Sequence, residues 1–186
     1  MKIIFLDIDG VVCILSKMRE SHRWSLKRRR AKKFTYNKYK FKWETTKLSS
    51  KVISTLNALV AETGAKVVIS SAWRYGTTVK YFQRLFRSKG FVGEIIDRTP
   101  TWNKYKHLIP AKSTNDLIYF WEHERGNEIN MWLNWNKTKH IESFVIIDDE
   151  ISDIHPMFPD NIVHTNIDMG FRGNELLHEA IKILNK

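Results

Sequence analysis

The sequence predicts a three-layer α/β/α fold around a parallel sheet, on three observations. Its strongest apolar runs are short, β-branched and free of polar alternation, the pattern of strands buried on both faces. Stripes of helical period lie between those runs. The residues that follow the runs are acidic or hydroxylated, and open sheets of this kind bind ligands beyond the carboxyl ends of their strands. A length of 186 residues with 42% hydrophobic content suffices for one domain, expected to span 1–186.

Lys2-Ile3-Ile4-Phe5-Leu6 is the first expected strand, and a polar, basic stretch follows it to about Lys47. Ser49 or Ser50 can cap a helix striped by Val52, Ile53, Leu56, Leu59 and Val60, which Gly64 ends. Lys66 to Ile69 is the second strand, and a helix is expected from about Thr78 to Lys89. Phe91 to Arg125 reads mainly as a long loop broken by Pro100 and Pro110, with a short strand at Gly93 to Ile96. A short helix over Asn127 to Trp135, strands at Phe144 to Ile147 and Asn161 to His164, and a last helix capped by Asn174 complete the order. Strands alternating with helices imply βαβ units and a parallel sheet covered on both faces.

Three strands deliver polar residues to one edge. Asp7, Asp9 and Gly10 follow the first, Ser70 and Ser71 the second, and Asp148 and Asp149 the third, with Asp153 shortly after. Carboxylates gathered there would repel one another or take up protons. A hard divalent cation removes the conflict; Mg2+ favours oxygen ligands and keeps waters that a phosphate oxygen can replace. Asp7, Asp9, Asp148, Asp149 and Asp153 are therefore the candidate metal ligands. A carboxylate can also attack phosphorus directly, which makes Asp7 the candidate nucleophile. Asp9, two residues on along an extended chain, shares its side and is the candidate proton shuttle. A phosphoryl group in transfer also needs donors for its equatorial oxygens. Ser70 and Ser71 offer hydroxyls, Arg125 is the first candidate for the positive charge, and Lys112 the second.

Phe5-Leu6-Asp7-Ile8-Asp9-Gly10-Val11-Val12 resembles motif I of the haloacid-dehalogenase (HAD) superfamily, Val68-Ile69-Ser70-Ser71 its motif II, and Ile146-Ile147-Asp148-Asp149 its motif IV. The resemblance runs from Lys2 to the last helix. It implies a Rossmann-like core, Asp7 as nucleophile, Asp9 as general acid/base, magnesium on the motif IV acids, and Ser71 rather than Ser70 as the motif II hydroxyl. A narrower resemblance rests on Ser70-Ser71-Ala72-Trp73-Arg74, on Arg125-Gly126-Asn127-Glu128-Ile129 with Trp132-Leu133, and on the Asp148-Asp149 pair. These are similar to the phosphatase-type domains of RNA-repair proteins and to the phosphatase half of phage polynucleotide kinases, which remove terminal phosphates from nucleic acid. The family's motif III is usually lysine, whereas the matching segment here offers Arg125. No Gly-x-x-x-x-Gly-Lys loop is present, so a kinase half is not expected within these residues.

The formal net charge of +11 bears on partners rather than fold, and a polyanion is the natural one. The excess is concentrated in 16–47, where Arg23, Lys27, Arg28, Arg29, Arg30, Lys32 and Lys33 alternate with Trp24, Phe34, Tyr36, Tyr39, Phe41 and Trp43. Cations there would neutralise phosphates and aromatic faces would stack on unpaired bases. The resemblance makes this insertion a cap or flap over the site, and Arg74 joins its cations as an expected nucleic-acid contact. Expected substrates are thus nucleic-acid ends, or alternatively free nucleotides and other small phosphate esters. A third reading, from another class, is a nucleic-acid-binding or inhibitory protein with little catalysis. The lone Cys13 excludes a disulfide framework within the chain, and no Cys/His spacing suggests zinc. Asp7 and Asp9 interrupt the apolar start before a signal-peptide core is complete, and no stretch reaches a membrane span. No membrane partner is expected, and the expected location is the cytoplasm, the host's if the source is viral.

Overall fold

The computed structural model describes residues 1–14, 16, 41, 44–101 and 124–186. Their elements run β1 (Lys2–Leu6), α1 (Ser50–Thr63), β2 (Lys66–Ile69), α2 (Val79–Arg87), β3 (Ile95–Arg98), α3 (Glu124–Trp135), β4 (Ser143–Asp148), β5 (Ile162–His164) and α4 (Asn174–Leu184). The five strands form one parallel sheet in the order β3-β2-β1-β4-β5.

The two faces of the sheet are covered by different helices, because alternate side chains of a strand point to opposite sides. Ile4, Leu6, Val67, Ile69, Val145 and Ile147 join the buried residues of α1, α2 and α4 in one apolar cluster. Ile3, Phe5, Val68 and Ile146 join Ile129 and Trp132 of α3 in a second. Phe5 and Trp132 meet edge to face, with ring centroids 5.3 Å apart. These are the three layers expected from the sequence, a Rossmann-like α/β core.

Register places the chemistry. Leu6 lies opposite Ile69 on one side and Ile147 on the other, so Asp7, Ser70 and Asp148 leave the sheet at one level. Backbone bonds carry the ladder one step further: Asp7 N–H donates to Ile147 O (3.0 Å) and Ser70 N–H to Leu6 O (2.9 Å). These polar side chains are fixed by sheet geometry before any side-chain contact is made.

Most element boundaries agree with the sequence pattern, and the differences have local causes. α1 carries the expected stripe and stops at Gly64, whose φ of +66 suits glycine and whose N–H closes on Val60 O. Ser49 is its N-cap residue but makes no side-chain cap bond. The β3 strand sits two residues beyond the expected one, at Ile95–Arg98, after an irregular step in its pairing with β2. α3 begins three residues earlier than expected, at Glu124, so Arg125 lies in its first turn rather than before the helix. The last helix is capped at Gly173, with Asn174 as its first residue.

Candidate active site

Oxygens of Asp7, Asp148 and Asp149 converge within 4.8 Å of one another at the carboxyl end of β1 and β4. Asp7 is 5% and Asp148 1% exposed, so two of the three carboxylates have little water to solvate a charge. Burial raises the pKa of Asp7 and Asp148 above the ordinary carboxylate range, and Arg125 opposes the shift in both. Asp149, less buried, is shifted in the same direction by the same cause. Gly10 turns at φ +71 directly beneath the Asp149 carboxylate, where a Cβ would collide with it. Glycine at motif I is therefore a condition for Asp149 to reach the group.

Arg125 enters from the α3 side of the sheet. Its Nη1 donates to Asp7 Oδ1 (2.8 Å), to Asp148 Oδ2 (3.2 Å) and to the carbonyl of Ser70. The guanidinium stays charged at any working pH, and its two carboxylate neighbours raise its pKa further. One cation thus offsets part of the repulsion between the Asp7 and Asp148 carboxylates. Its own placement is fixed from below. The Arg125 backbone N–H donates to Asp153 Oδ2 (3.0 Å) and Gly126 N–H to Asp153 O (3.3 Å), so Asp153 caps the first turn of α3. Asp153 stands outside the group of three carboxylates.

Ser71 and Ser70 divide two tasks. The Ser71 hydroxyl accepts from Trp73 N–H (3.4 Å), capping the short 3-10 turn Ala72–Arg74, and its polar group opposes the rise in the Asp7 pKa. Ser70 gives its carbonyl to Arg125, while its buried Oγ has no hydrogen-bond partner among the described residues. Asp9 has a different partner. Its Oδ2 accepts from the Trp73 indole Nε1–H at 2.8 Å. Burial first, and the Asp9 charge second, push the Cys13 thiol up to about 12, which leaves it protonated and unreactive.

Arg74 departs from expectation. It is 2% exposed, its guanidinium pairs with Glu128 of α3, and its Nη1 donates to Ser71 O (2.7 Å). A guanidinium so enclosed is a strut between motif II and α3, which corrects its assignment as a nucleic-acid contact. Lys112 and the insertion residues Arg23, Lys27, Arg28, Arg29, Arg30, Lys32 and Lys33 lie outside the described residues. Ser49 N–H donates to Val12 O (2.9 Å), which ties the chain just after the insertion to the chain just before it. Tyr81 of α2 donates its hydroxyl to Glu44 and meets Phe41 edge to face (5.8 Å), and the Lys47 ammonium sits 5.2 Å from the centroid of Trp73.

Glu128 and Trp73 are positions to which the sequence assigned no role of their own. Each meets its partner across a long stretch of chain, 54 residues for Glu128 with Arg74 and 64 for Trp73 with Asp9, with no local spacing to announce it. Among the described residues no helix is long and apolar enough to cross a membrane. Compared with known families, residues 3–176 match the one described as the HAD domain in Swiss Army Knife RNA repair proteins. No curated protein and no solved structure matches the chain.

Proposed function

Because the chain belongs to the family of HAD domains in Swiss Army Knife RNA repair proteins, we propose that it is a magnesium-dependent phosphomonoesterase acting on nucleic-acid termini through an aspartyl-phosphate. The observation that carries this reading is the Asp7 carboxylate, at the end of the central strand, held against Arg125 and within reach of Asp148 and Asp149.

The donor set suits Mg2+: three carboxylates from two adjacent strands offer hard oxygens to one point, and two of them are too buried to remain charged without a cation nearby. Asp7, Asp148 and Asp149 would hold the ion. When bound it supplies charge neutralisation for the phosphoryl oxygens. An oxygen of Asp7 attacks phosphorus as the ester P–O bond breaks, and protonated Asp9 gives its proton to the departing alcohol oxygen. The Asp9 carboxylate then takes a proton from water as that water attacks the phosphorus of the aspartyl-phosphate. Cleavage of the bond to Asp7 releases inorganic phosphate and restores both carboxyl groups. Arg125, which is bonded to Asp7, and Ser71 would donate to the equatorial oxygens.

The nucleic-acid substrate is supported by the family and by the composition of 16–47, whose last residue, Lys47, lies over Trp73. A phosphate-release panel tests it, pairing 3′- and 5′-phosphorylated RNA and DNA oligonucleotides with mononucleotides, with and without Mg2+. Release from oligonucleotides at higher kcat/KM than from mononucleotides is expected. Preference for the mononucleotide would move the substrate to small esters. Stoichiometric oligonucleotide binding with no release from any substrate would refute the enzyme.

A further inference from the structure

We propose that Trp73 is a positioning residue for Asp9, its indole N–H fixing the carboxyl group in the orientation from which the proton passes to the leaving oxygen. This rests on the reading of Asp9 as general acid and adds to it the group that sets its geometry. Asp9 lies on the turn after β1, where no strand ladder holds its side chain, and a freely rotating carboxyl would be misaligned for much of the time. Trp73 supplies the constraint from a second element. Its Nε1–H donates to Oδ2 at 2.8 Å, which leaves the other carboxyl oxygen to carry the proton.

The indole is itself held on three sides. Its backbone N–H bonds to Ser71 Oγ, the ring packs against the core cluster under α1 and α2, and Lys47 lies over its face. Its neighbour Arg74 is clamped to α3 through Glu128. The same turn therefore carries the motif II hydroxyl of Ser71 and the donor on Asp9, and it ties both to the helix that bears Arg125. A donor with no titration of its own near neutral pH suits this task, because it holds the carboxyl group without competing for its proton. Contact with Lys47 also puts the end of the basic insertion one side chain away from Asp9.

The test uses the dependence on leaving group. p-Nitrophenolate departs without a proton, whereas a ribose oxygen needs one, and kcat/KM reports the step that forms the aspartyl-phosphate. Trp73→Phe, and Trp73 replaced by benzothienylalanine, which keeps the fused ring and removes only the N–H, are compared with wild type on phosphorylated RNA ends and on p-nitrophenyl phosphate. The expected loss is roughly tenfold or more on the RNA end, a part of the full general-acid contribution, with no more than about a twofold change on the aryl ester. Trp73→His, which retains a ring N–H, should recover part of the loss. Equal losses on both substrates, or no loss on either, overturn the inference if Asp9→Asn still discriminates between them. If Asp9→Asn itself fails to discriminate, the general-acid reading falls first, and the role of Trp73 falls with it.

Discussion

Removing the charge of Glu128 should destabilise the protein by about 3 kcal/mol, because it leaves the Arg74 guanidinium buried without its counter-ion. Both side chains are 2% exposed, so neither can recover hydration without opening the contact between the 72–74 turn and α3. Glu128→Gln preserves shape and one acceptor oxygen, and Arg74 keeps its bond to Ser71 O and its place 5.0 Å from the Tyr75 ring centroid. These cushions set the expectation at the lower end of the range of about 3–5 kcal/mol seen when one partner of a buried pair is removed. For a chain of this length each kcal/mol moves Tm by about 2–4 °C, so the variant should melt roughly 6–12 °C below wild type. Urea denaturation followed by tryptophan fluorescence gives the free energy directly. The double variant Arg74→Met/Glu128→Leu should lie close to wild type in stability, since apolar replacement of both partners removes both desolvation costs. Its activity should nonetheless fall, because the turn carrying Ser71 and Trp73 loses a directional tie to the helix of Arg125. A Glu128→Gln loss below about 1 kcal/mol, the scale of an exposed pair, would refute the account.

Asp7→Asn should reduce phosphate release to background while the far-UV circular dichroism and Tm stay near wild type, since an amide keeps the shape but not the nucleophile; turnover above a tenth of wild type would exclude Asp7 as the attacking group. In the metal-free protein, the acidic cluster should make stability fall as pH rises. Asp7, Asp148 and Asp149 have folded-state pKa values raised above the unfolded range of about 4, so the native state binds more protons between that range and the raised values, and its stability declines with pH across that interval. Thermal melts with and without Mg2+ should diverge in the same sense, the ion stabilising more at pH 8 than at pH 5, and by about 2.7 kcal/mol at a hundred times its Kd. A Mg2+ effect equal at both pH values would dissociate the ion from these carboxylates.

Where the sequence was legible, one physical rule sufficed. Runs such as Lys2 to Leu6 and Lys66 to Ile69 are strands because β-branched residues fill a sheet buried on both faces, and the level at which they end follows from parallel register. Asp7, Ser70 and Asp148 could therefore be named from chain order alone. Contacts set by the third dimension were not legible in the same way. Arg74 is charged and sits in a motif that resembles nucleic-acid enzymes, yet it is buried because Glu128, on the helix across the layer, neutralises it. Asp153 is acidic and follows motif IV closely, yet its carboxylate is engaged by the Arg125 N–H, one of the free amides that every helix start exposes. In both cases composition announced a charge, and only packing decided which surface it faced.

An arginine at position 125 suits the same crowding. The groups that converge on this edge are the Asp7 and Asp148 carboxylates and the Ser70 carbonyl, all acceptors, and all reached by one Nη1 from the first turn of α3. An ammonium could approach the same point, but it is strongly hydrated and rotates freely, whereas a planar guanidinium is more easily desolvated and keeps a second nitrogen in a fixed direction. In the proposed reaction, with Nη1 committed to the protein, Arg125 would offer its other N–H groups to a phosphoryl oxygen in the same plane. Asp153 beneath the helix and the Arg74–Glu128 pair beside it then act on one variable, the position of that plane relative to Asp7. Three side chains thus set where Arg125 lies against Asp7, and the arginine is the point at which their constraint is delivered.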